Sequence, residues 1–244
     1  MSRVVRFHQT GGPQVLKIEQ REVGAPSAGE LRIKVEAIGL NRAEAAFRAG
    51  MYLEAPNLPC GIGYEASGIV EAVGDDVTDF KAGDAICVIP AFSMNTYSVY
   101  ADQTLVPAYA CTQRPSGLDK IEAASIWMQY LTAYGALIDI AKLGKGDFVI
   151  IPAASSSVGL AAIQIANYVG ATPIATTRGQ SKVAALKEAG AKHVITGDQD
   201  LVAEVMRITD GKGARVASAA PSSCMAPSNR RSHRCRWWPR STGP

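Results

Sequence analysis

Three consecutive serines mark a place where small polar side chains and free backbone amides would meet. Ser155, Ser156 and Ser157 follow a short apolar run and precede Val158 and Gly159, which open a stretch with helical spacing. The first N–H groups of a helix lack an intrahelical partner, and the helix dipole favours an anion beside them. Glycine at position 159 suits close packing of helix and strand, as in dinucleotide-binding turns. The pattern predicts a phosphate-binding turn; a serine-rich helix cap without a ligand is the alternative.

A basic turn further along the chain is the second candidate. Thr177, Arg178 and Lys182 end or follow an apolar run, and no Asp or Glu occurs between Ile150 and Lys187. A site for NAD(H) would use an acidic residue here to accept a hydrogen bond from the ribose 2′-hydroxyl. Guanidinium and ammonium groups instead pair with a 2′-phosphate. The turn thus favours NADP(H) as cofactor, and a solvated basic turn is the alternative.

Strands and helices alternate around these two turns. Short apolar runs, typical of strands covered on both faces, lie between stretches with apolar residues at helical spacing. The predicted strands are 147–151, 172–177 and 193–196, and the predicted helices are 158–169, 181–189 and 201–209. Such alternation is typical of βαβ units. The pattern therefore predicts that residues 126–216 form a parallel sheet that positions both turns.

The first 125 residues have a different pattern. Residues 31–37 alternate between apolar and polar side chains, as a half-buried strand does. Further short apolar runs lie at 68–74 and 85–89, and glycines and prolines separate them. This spacing predicts a small β-barrel or sandwich, so the fold class is β followed by α/β.

Composition excludes several classes of protein. The hydrophobic content of 47% rules out wholesale disorder. No apolar run approaches the ~20 residues that span a bilayer, and the N-terminus lacks the apolar core of a signal peptide. We therefore expect a cytoplasmic protein with no membrane partner. The five cysteines include no C-x-x-C pair, which argues against a zinc cluster or a disulfide framework.

The end of the chain differs abruptly from the rest. Residues 214–244 contain six Arg and two of the three Trp, but no Lys, Asp or Glu. Removing those six from the 25 basic residues leaves 19 against 22 acidic residues in 1–213. We hypothesise a frameshift near codon 216 and expect residues 217–244 to be disordered.

Arg and Trp together can bind single-stranded nucleic acid, but no fold presents them here, so we expect no nucleic-acid partner.

Five short motifs follow one another along residues 1–216: GLNRAE at 39–44, GYEASGIV at 63–70, FKAGD at 80–84, LTAY at 131–134 and SVG at 157–159. Together they resemble the medium-chain dehydrogenase/reductase superfamily on its zinc-independent, quinone-oxidoreductase-like side. The resemblance implies a GroES-like β-barrel catalytic domain at 1–125 and the first half of a Rossmann NADP-binding domain at 126–216. It also implies hydride transfer from NADPH to a small quinone or α,β-unsaturated carbonyl compound.

The resemblance also assigns residues to the site. Zinc-dependent relatives carry a cysteine ligand where this chain has Asn41 and a histidine ligand where it has Tyr64. Amide and phenol groups are not conventional zinc ligands, so no metal is expected. By resemblance, Asn41, Tyr52 and Tyr64 line the substrate side, where they can stabilise oxyanion charge, and Thr132 lies near the nicotinamide. Ordinary packing is the alternative for the two tyrosines.

The tail limits what this chain is expected to do. A complete Rossmann fold has two halves, and the second supplies the neighbour of the first strand. We therefore expect strand 147–151 to become an exposed edge, the chain to be a poor or inactive catalyst, and the homodimer of relatives to be doubtful here. A nucleotide-binding remnant without turnover, an enoyl-thioester reductase and an alcohol-dehydrogenase-type enzyme remain alternatives.

Overall fold

A computed structural model describes residues 1–218. In the first 125 residues the strands outnumber the helices, as the sequence predicts. The strands are β1 (Ser2–Phe7), β2 (Leu16–Arg21), β3 (Glu30–Gly39), β4 (Cys60–Gly61), β5 (Glu65–Val73), β6 (Ala85–Val88), β7 (Gln103–Pro107) and β8 (Cys111–Gln113). The helices are α1 (Arg42–Arg48) and α2 (Lys120–Ala123). The proposed domain division after residue 125 falls between α2 and the next helix.

These strands form two antiparallel sheets around one core. The larger sheet has the order β7-β3-β5-β6-β8, and the smaller sheet has the order β2-β1-β4. Alternating side chains of β3 and of its neighbours point inward, which is why Leu31, Ile33 and Ile86 are fully buried together with Phe7 and Phe47. This arrangement is the GroES-like unit that the sequence predicts.

The second half alternates between helices and parallel strands. The helices are α3 (Trp127–Tyr134), which continues into a π-helical turn (Gly135–Ile140), α4 (Ser157–Tyr168), α5 (Val183–Glu188) and α6 (Leu201–Ile208). The strands are β9 (Phe148–Ile151), β10 (Thr172–Thr177), β11 (His193–Thr196) and β12 (Val216–Ala217). They form a parallel sheet in the order β11-β10-β9-β12, which is the Rossmann-like arrangement.

Two expectations about this sheet need correction. Strand β9 is not an edge within residues 1–218, because Val216 and Ala217 pair with Val149 and Ile150 in parallel register. The predicted helix at 181–189 opens as a 3-10 turn (Gln180–Lys182) and becomes α-helical only from Val183. Strands β10 and β11 have the bounds that the sequence predicts.

The remaining predictions concern the end of the chain and membranes. From residue 219 onward the prediction of a disordered tail lies outside the described residues, whereas Ala217, which we assigned to that tail, belongs to β12. Among the helices of residues 1–218, none combines the length and the apolar character that crossing a membrane requires.

Candidate active site

A cleft of about 420 Å³ brings two of the predicted site residues together. Tyr52 and Tyr64 line it with ring centroids 6.2 Å apart, and the Phe92 ring lies 5.7 Å from that of Tyr64. The lining residues are Tyr52, Tyr64, Pro90, Ala91, Phe92, Ser93, Tyr109 and Met128. An aromatic wall that carries hydroxyl groups can hold an apolar molecule with a polar carbonyl.

A carboxylate stands behind this wall. Tyr64 Oη donates a hydrogen bond to Glu54 Oε1 at 3.4 Å, and Ser93 Oγ donates to Glu54 Oε2 at 2.5 Å. Asn95 Nδ2 adds a third hydrogen bond to Oε2 at 3.3 Å. Burial raises the pKa of the Tyr64 hydroxyl, and Tyr52 and Glu54 raise it further. Tyr64 therefore keeps its proton at neutral pH and directs it toward Glu54.

Asn41 lies at the N-cap of α1 and is not among the residues that line the cleft. Its side-chain Nδ2 donates to Glu65 Oε2 at 3.1 Å. Its backbone N–H donates to Glu44 Oε2, and the same carboxylate accepts the backbone N–H of Tyr64 and the hydroxyl of Tyr100, each at 3.1 Å. Asn41 is thus connected to the cleft through Glu44 and the backbone of Tyr64.

Both carboxylates of this network are almost fully buried. Glu44 is 3% exposed and Glu65 is 2% exposed. Burial raises the pKa of each carboxyl, although the hydrogen bonds that each accepts act in the opposite direction. Glu65 Oε1 accepts the backbone N–H groups of Trp127 at 2.5 Å and Met128 at 3.3 Å. Glu65 therefore fixes the start of α3 to the barrel and holds Met128 at the cleft.

Helix α3 continues from the cleft toward the serine turn. Thr132 is exposed on this helix, and its hydroxyl donates to the carbonyl of Met128, one turn earlier, at 2.6 Å. The hydroxyl of Tyr130 forms a hydrogen bond with Gln164 of α4. The helix that carries Thr132 therefore contacts both the cleft and the helix that follows the three serines.

The serine turn packs tightly against the sheet. Ser156 is the N-cap of α4, and its Oγ accepts the N–H of Gly159 at 3.1 Å. A Cβ at position 159 would lie 2.6 Å from the Ala154 carbonyl oxygen, so only glycine fits without movement. Ser157 and Val158 open the helix, where N–H groups lack intrahelical acceptors. Since the capping hydroxyl still has its own proton to donate, capping and anion binding are compatible.

The basic turn meets the serine turn through one contact. Lys182 Nζ lies 3.1 Å from Ser155 Oγ. Thr177 is the last residue of β10, and the side chain of Arg178, which follows it, is exposed. The guanidinium of Arg178 makes no hydrogen bond or ion pair with any residue of 1–218, so it remains available to an anionic ligand.

The residue types at positions 41 and 64 bear on metal binding. Asn41 and Tyr64 present an amide and a phenol, and their side chains are engaged with Glu65 and Glu54. In the part of the chain that the structure describes, no three His, Cys, Asp or Glu side chains are grouped closely enough to hold a metal ion. The absence of a metal stays a prediction.

Comparison with known proteins identifies the family. The family model described as the alcohol dehydrogenase GroES-like domain matches residues 27–153, and that described as zinc-binding dehydrogenase matches residues 157–223. A quinone oxidoreductase of Pseudomonas aeruginosa is 33% identical over 213 residues. The chain belongs to the medium-chain dehydrogenase/reductase superfamily, in its quinone-oxidoreductase-like branch.

Members of this superfamily that resemble the chain are longer than it is. The alignment covers 87% of this chain but 64% of the Pseudomonas protein, and a 2-haloacrylate reductase of Burkholderia, 33% identical, gives 86% and 63%. The solved structure of an Escherichia coli quinone oxidoreductase complexed with NADPH superposes with a TM-score of 0.80 at 32% identity. That superposition covers 89% of this chain and 65% of the other. The chain therefore spans about two thirds of the length of these relatives.

The structure adds residues that the superfamily motifs do not point to. Glu54, Ser93 and Asn95 meet behind the cleft, although 39 positions separate Glu54 from Ser93 in the sequence. None of these three residues lies in a recognisable motif. They come together only because two loops approach each other. Met128 precedes the LTAY motif by three positions. It lies one helical turn before Thr132, and this spacing is the one sequence signal that places it on the same helix face as Thr132.

Proposed function

We propose that this chain is an NADPH-dependent oxidoreductase that transfers hydride to a quinone or an α,β-unsaturated carbonyl compound without a catalytic metal. When bound, NADPH supplies the hydride. The chain binds and orients the cofactor and the acceptor, and it stabilises the charge that develops on the acceptor oxygen. The contact between Lys182 and Ser155 carries the proposal, because it joins the basic turn to the turn whose amides suit a pyrophosphate.

The cofactor end uses two turns. We assign the pyrophosphate to Ser155, Ser156 and the helix start at Ser157 and Val158, with Gly159 permitting the close approach. Three features support this assignment: the cap on Ser156, the lack of room for a side chain at position 159, and the dipole of α4.

The 2′-phosphate is assigned to the end of β10. Thr177, Arg178 and Lys182 provide a hydroxyl and two cations there, and no carboxylate competes for them between residues 150 and 187. The guanidinium of Arg178, which has no hydrogen-bond or ion-pair partner within residues 1–218, supports a bidentate contact with a phosphate group.

The acceptor end is assigned to the cleft. Hydride transfer to a quinone or enone places negative charge on the acceptor oxygen, which nearby hydrogen-bond donors stabilise. Because Tyr64 directs its proton toward Glu54, we assign Tyr52 as the donor to that oxygen and Tyr64 as part of the wall. Asn41 positions the backbone of Tyr64 through Glu44. Thr132, on the helix between cleft and turn, is assigned to the nicotinamide side.

The decisive experiment replaces Arg178. NADPH oxidation by 1,4-naphthoquinone is followed at 340 nm, and the affinities for NADPH, NADH and 2′,5′-ADP are measured by fluorescence titration. Loss of a charge-assisted contact costs about 1.5–3 kcal/mol, so R178A should lower the preference for NADPH over NADH about 10- to 150-fold. The control K187A removes an exposed cation on α5 and should leave this preference unchanged. An unchanged preference in R178A contradicts the cofactor assignment.

The same assays, extended to an enoyl thioester and a simple alcohol, separate the alternatives. Binding of 2′,5′-ADP without turnover of any acceptor would indicate a nucleotide-binding protein. Faster turnover of an enoyl thioester than of the quinone would favour an enoyl-thioester reductase. NADP⁺ reduction by a simple alcohol, lost on treatment with a chelator, would favour the zinc-type alcohol dehydrogenase and refute the metal-free assignment.

A further inference from the structure

Glu54 determines which atoms the cleft offers to a ligand. Its two oxygens accept the Tyr64 hydroxyl, the Ser93 hydroxyl and the Asn95 amide. Tyr64 and Ser93 both line the cleft, and each has one hydroxyl proton, which is committed to Glu54. The lone pairs that remain on these two hydroxyls can accept a hydrogen bond from a ligand, although the Tyr52 hydroxyl competes for that of Tyr64.

The arrangement is held by the approach of two loops. Asn95 donates from Nδ2 to the Ala55 carbonyl at 2.9 Å and accepts the Asn57 N–H through Oδ1 at 2.6 Å. The backbone N–H of Asn95 also donates to Ser93 Oγ at 3.1 Å, which occupies one of the two lone pairs of that hydroxyl. The loops therefore fix the direction in which these two hydroxyls donate, and a bound ligand does not change it.

Glu54 lies behind a wall whose lining residues are all uncharged. Among the eight residues that line the cleft there is no Lys, Arg or His. Arg6 is a cation of the neighbouring strand β1, and its guanidinium is engaged with the Pro59 carbonyl at 2.6 Å and with Glu19 at 3.6 Å. An anionic group in the cleft would face a carboxylate across two oriented hydroxyls, and none of the eight lining residues supplies a compensating positive charge.

We propose that Glu54 is a specificity-determining residue that makes the cleft select neutral acceptors bearing a hydroxyl or amide N–H donor and reject acceptors bearing a carboxylate. This inference rests on the proposed function for the use of the cleft, and it narrows the substrate class within it. A neutral donor group satisfies the lone pairs of Tyr64 and Ser93, whereas a carboxylate leaves them unpaired and adds repulsion.

Three α,β-unsaturated ligands of nearly the same shape test this selection. trans-Cinnamamide is neutral and carries N–H donors, methyl cinnamate is neutral without a donor, and cinnamate is anionic. Dissociation constants are measured by titration calorimetry on the full chain without cofactor. We expect the wild-type chain to bind cinnamamide at least about tenfold more tightly than cinnamate, with methyl cinnamate between them.

Substitutions assign the selection to Glu54. E54Q removes the charge and should bring cinnamamide and cinnamate to within about threefold of each other. E22Q, an exposed carboxylate after β2, is the matched control and should keep the wild-type ratio. S93A keeps the charge and should reduce only the advantage of cinnamamide over methyl cinnamate, which provides a second variant if E54Q does not fold.

The outcomes distinguish this inference from the proposed function. Equal affinity of wild-type chain for cinnamamide and cinnamate, an unchanged ratio in E54Q, or no binding of either ligand would each overturn the role of Glu54. The expected ratios in a chain that turns over no acceptor would support the role of Glu54 while contradicting the proposed enzyme.

Discussion

The packing of Gly159 permits a quantitative prediction for the variant G159A. The added methyl carbon would lie 2.6 Å from the carbonyl oxygen of Ala154 and 2.7 Å from its carbonyl carbon and Cα. These are backbone atoms of the turn between β9 and α4, which cannot rotate away as a side chain can. To regain the 3.4 Å of an ordinary contact, α4 must move by about 0.8 Å.

Two opposing effects set the size of the change. Overpacking typically costs about 1–3 kcal/mol, and alanine favours the helix over glycine by about 1 kcal/mol. We expect G159A to lower the free energy of unfolding by up to about 2 kcal/mol, or the Tm by up to roughly 8 °C. Because the helix start also moves, the affinity for 2′,5′-ADP should fall about tenfold.

The control is another glycine-to-alanine change in a helical segment. Gly135 has φ −56° and no atom within 4 Å of an added Cβ, so G135A should be neutral or stabilising by up to about 1 kcal/mol. Thermal unfolding followed by circular dichroism and 2′,5′-ADP titration compare the two variants. A G159A chain that is as stable as the wild type and binds the nucleotide equally would refute the packing argument.

Two further predictions concern the buried carboxylates. E65A leaves the N–H groups of Trp127 and Met128 without an acceptor, so it should lower the free energy of unfolding in urea by roughly 2–5 kcal/mol; a loss below about 1 kcal/mol would contradict the tie between barrel and α3. Burial raises the pKa of Glu44 above its unfolded value. The stabilisation that follows from this shift is complete below the unfolded pKa of about 4.3, and it is lost as the pH rises through the folded pKa. Between pH 4.5 and 8 the stability of the wild type in urea unfolding should therefore decline relative to that of E44Q. A wild-type stability that instead rises relative to E44Q would show that folding lowers the pKa of Glu44.

The local elements could be predicted from the sequence because their signals lie between near neighbours. Strands Thr172–Thr177 and His193–Thr196 have the predicted bounds, since continuous apolar runs identify strands that are covered on both faces. The turn at Lys182 was harder to predict, because a 3-10 turn and the first turn of an α-helix share nearly the same spacing. The family also followed from the sequence, through five short motifs in order.

The exposed edge expected for β9 shows where sequence reasoning failed. Residues 216–217 carry too few apolar side chains to identify a strand, yet they pair with Val149 and Ile150. The ion pair of Arg215 with Asp147, at 2.5 Å, holds this segment beside the sheet. A two-residue strand is specified by its partner, so no local pattern reveals it.

The sequence by itself determined the order of the elements, the serine turn and the basic turn, because each depends on residues close together in the chain. Only the tertiary structure decided that Lys182 reaches Ser155, that the Asn41 N–H donates to Glu44, and that Glu54 lies behind Tyr64. These contacts join positions on separate loops and elements, and the distance between two such side chains depends on how the whole backbone packs. The direction in which a hydroxyl donates its proton is likewise a property of that packing.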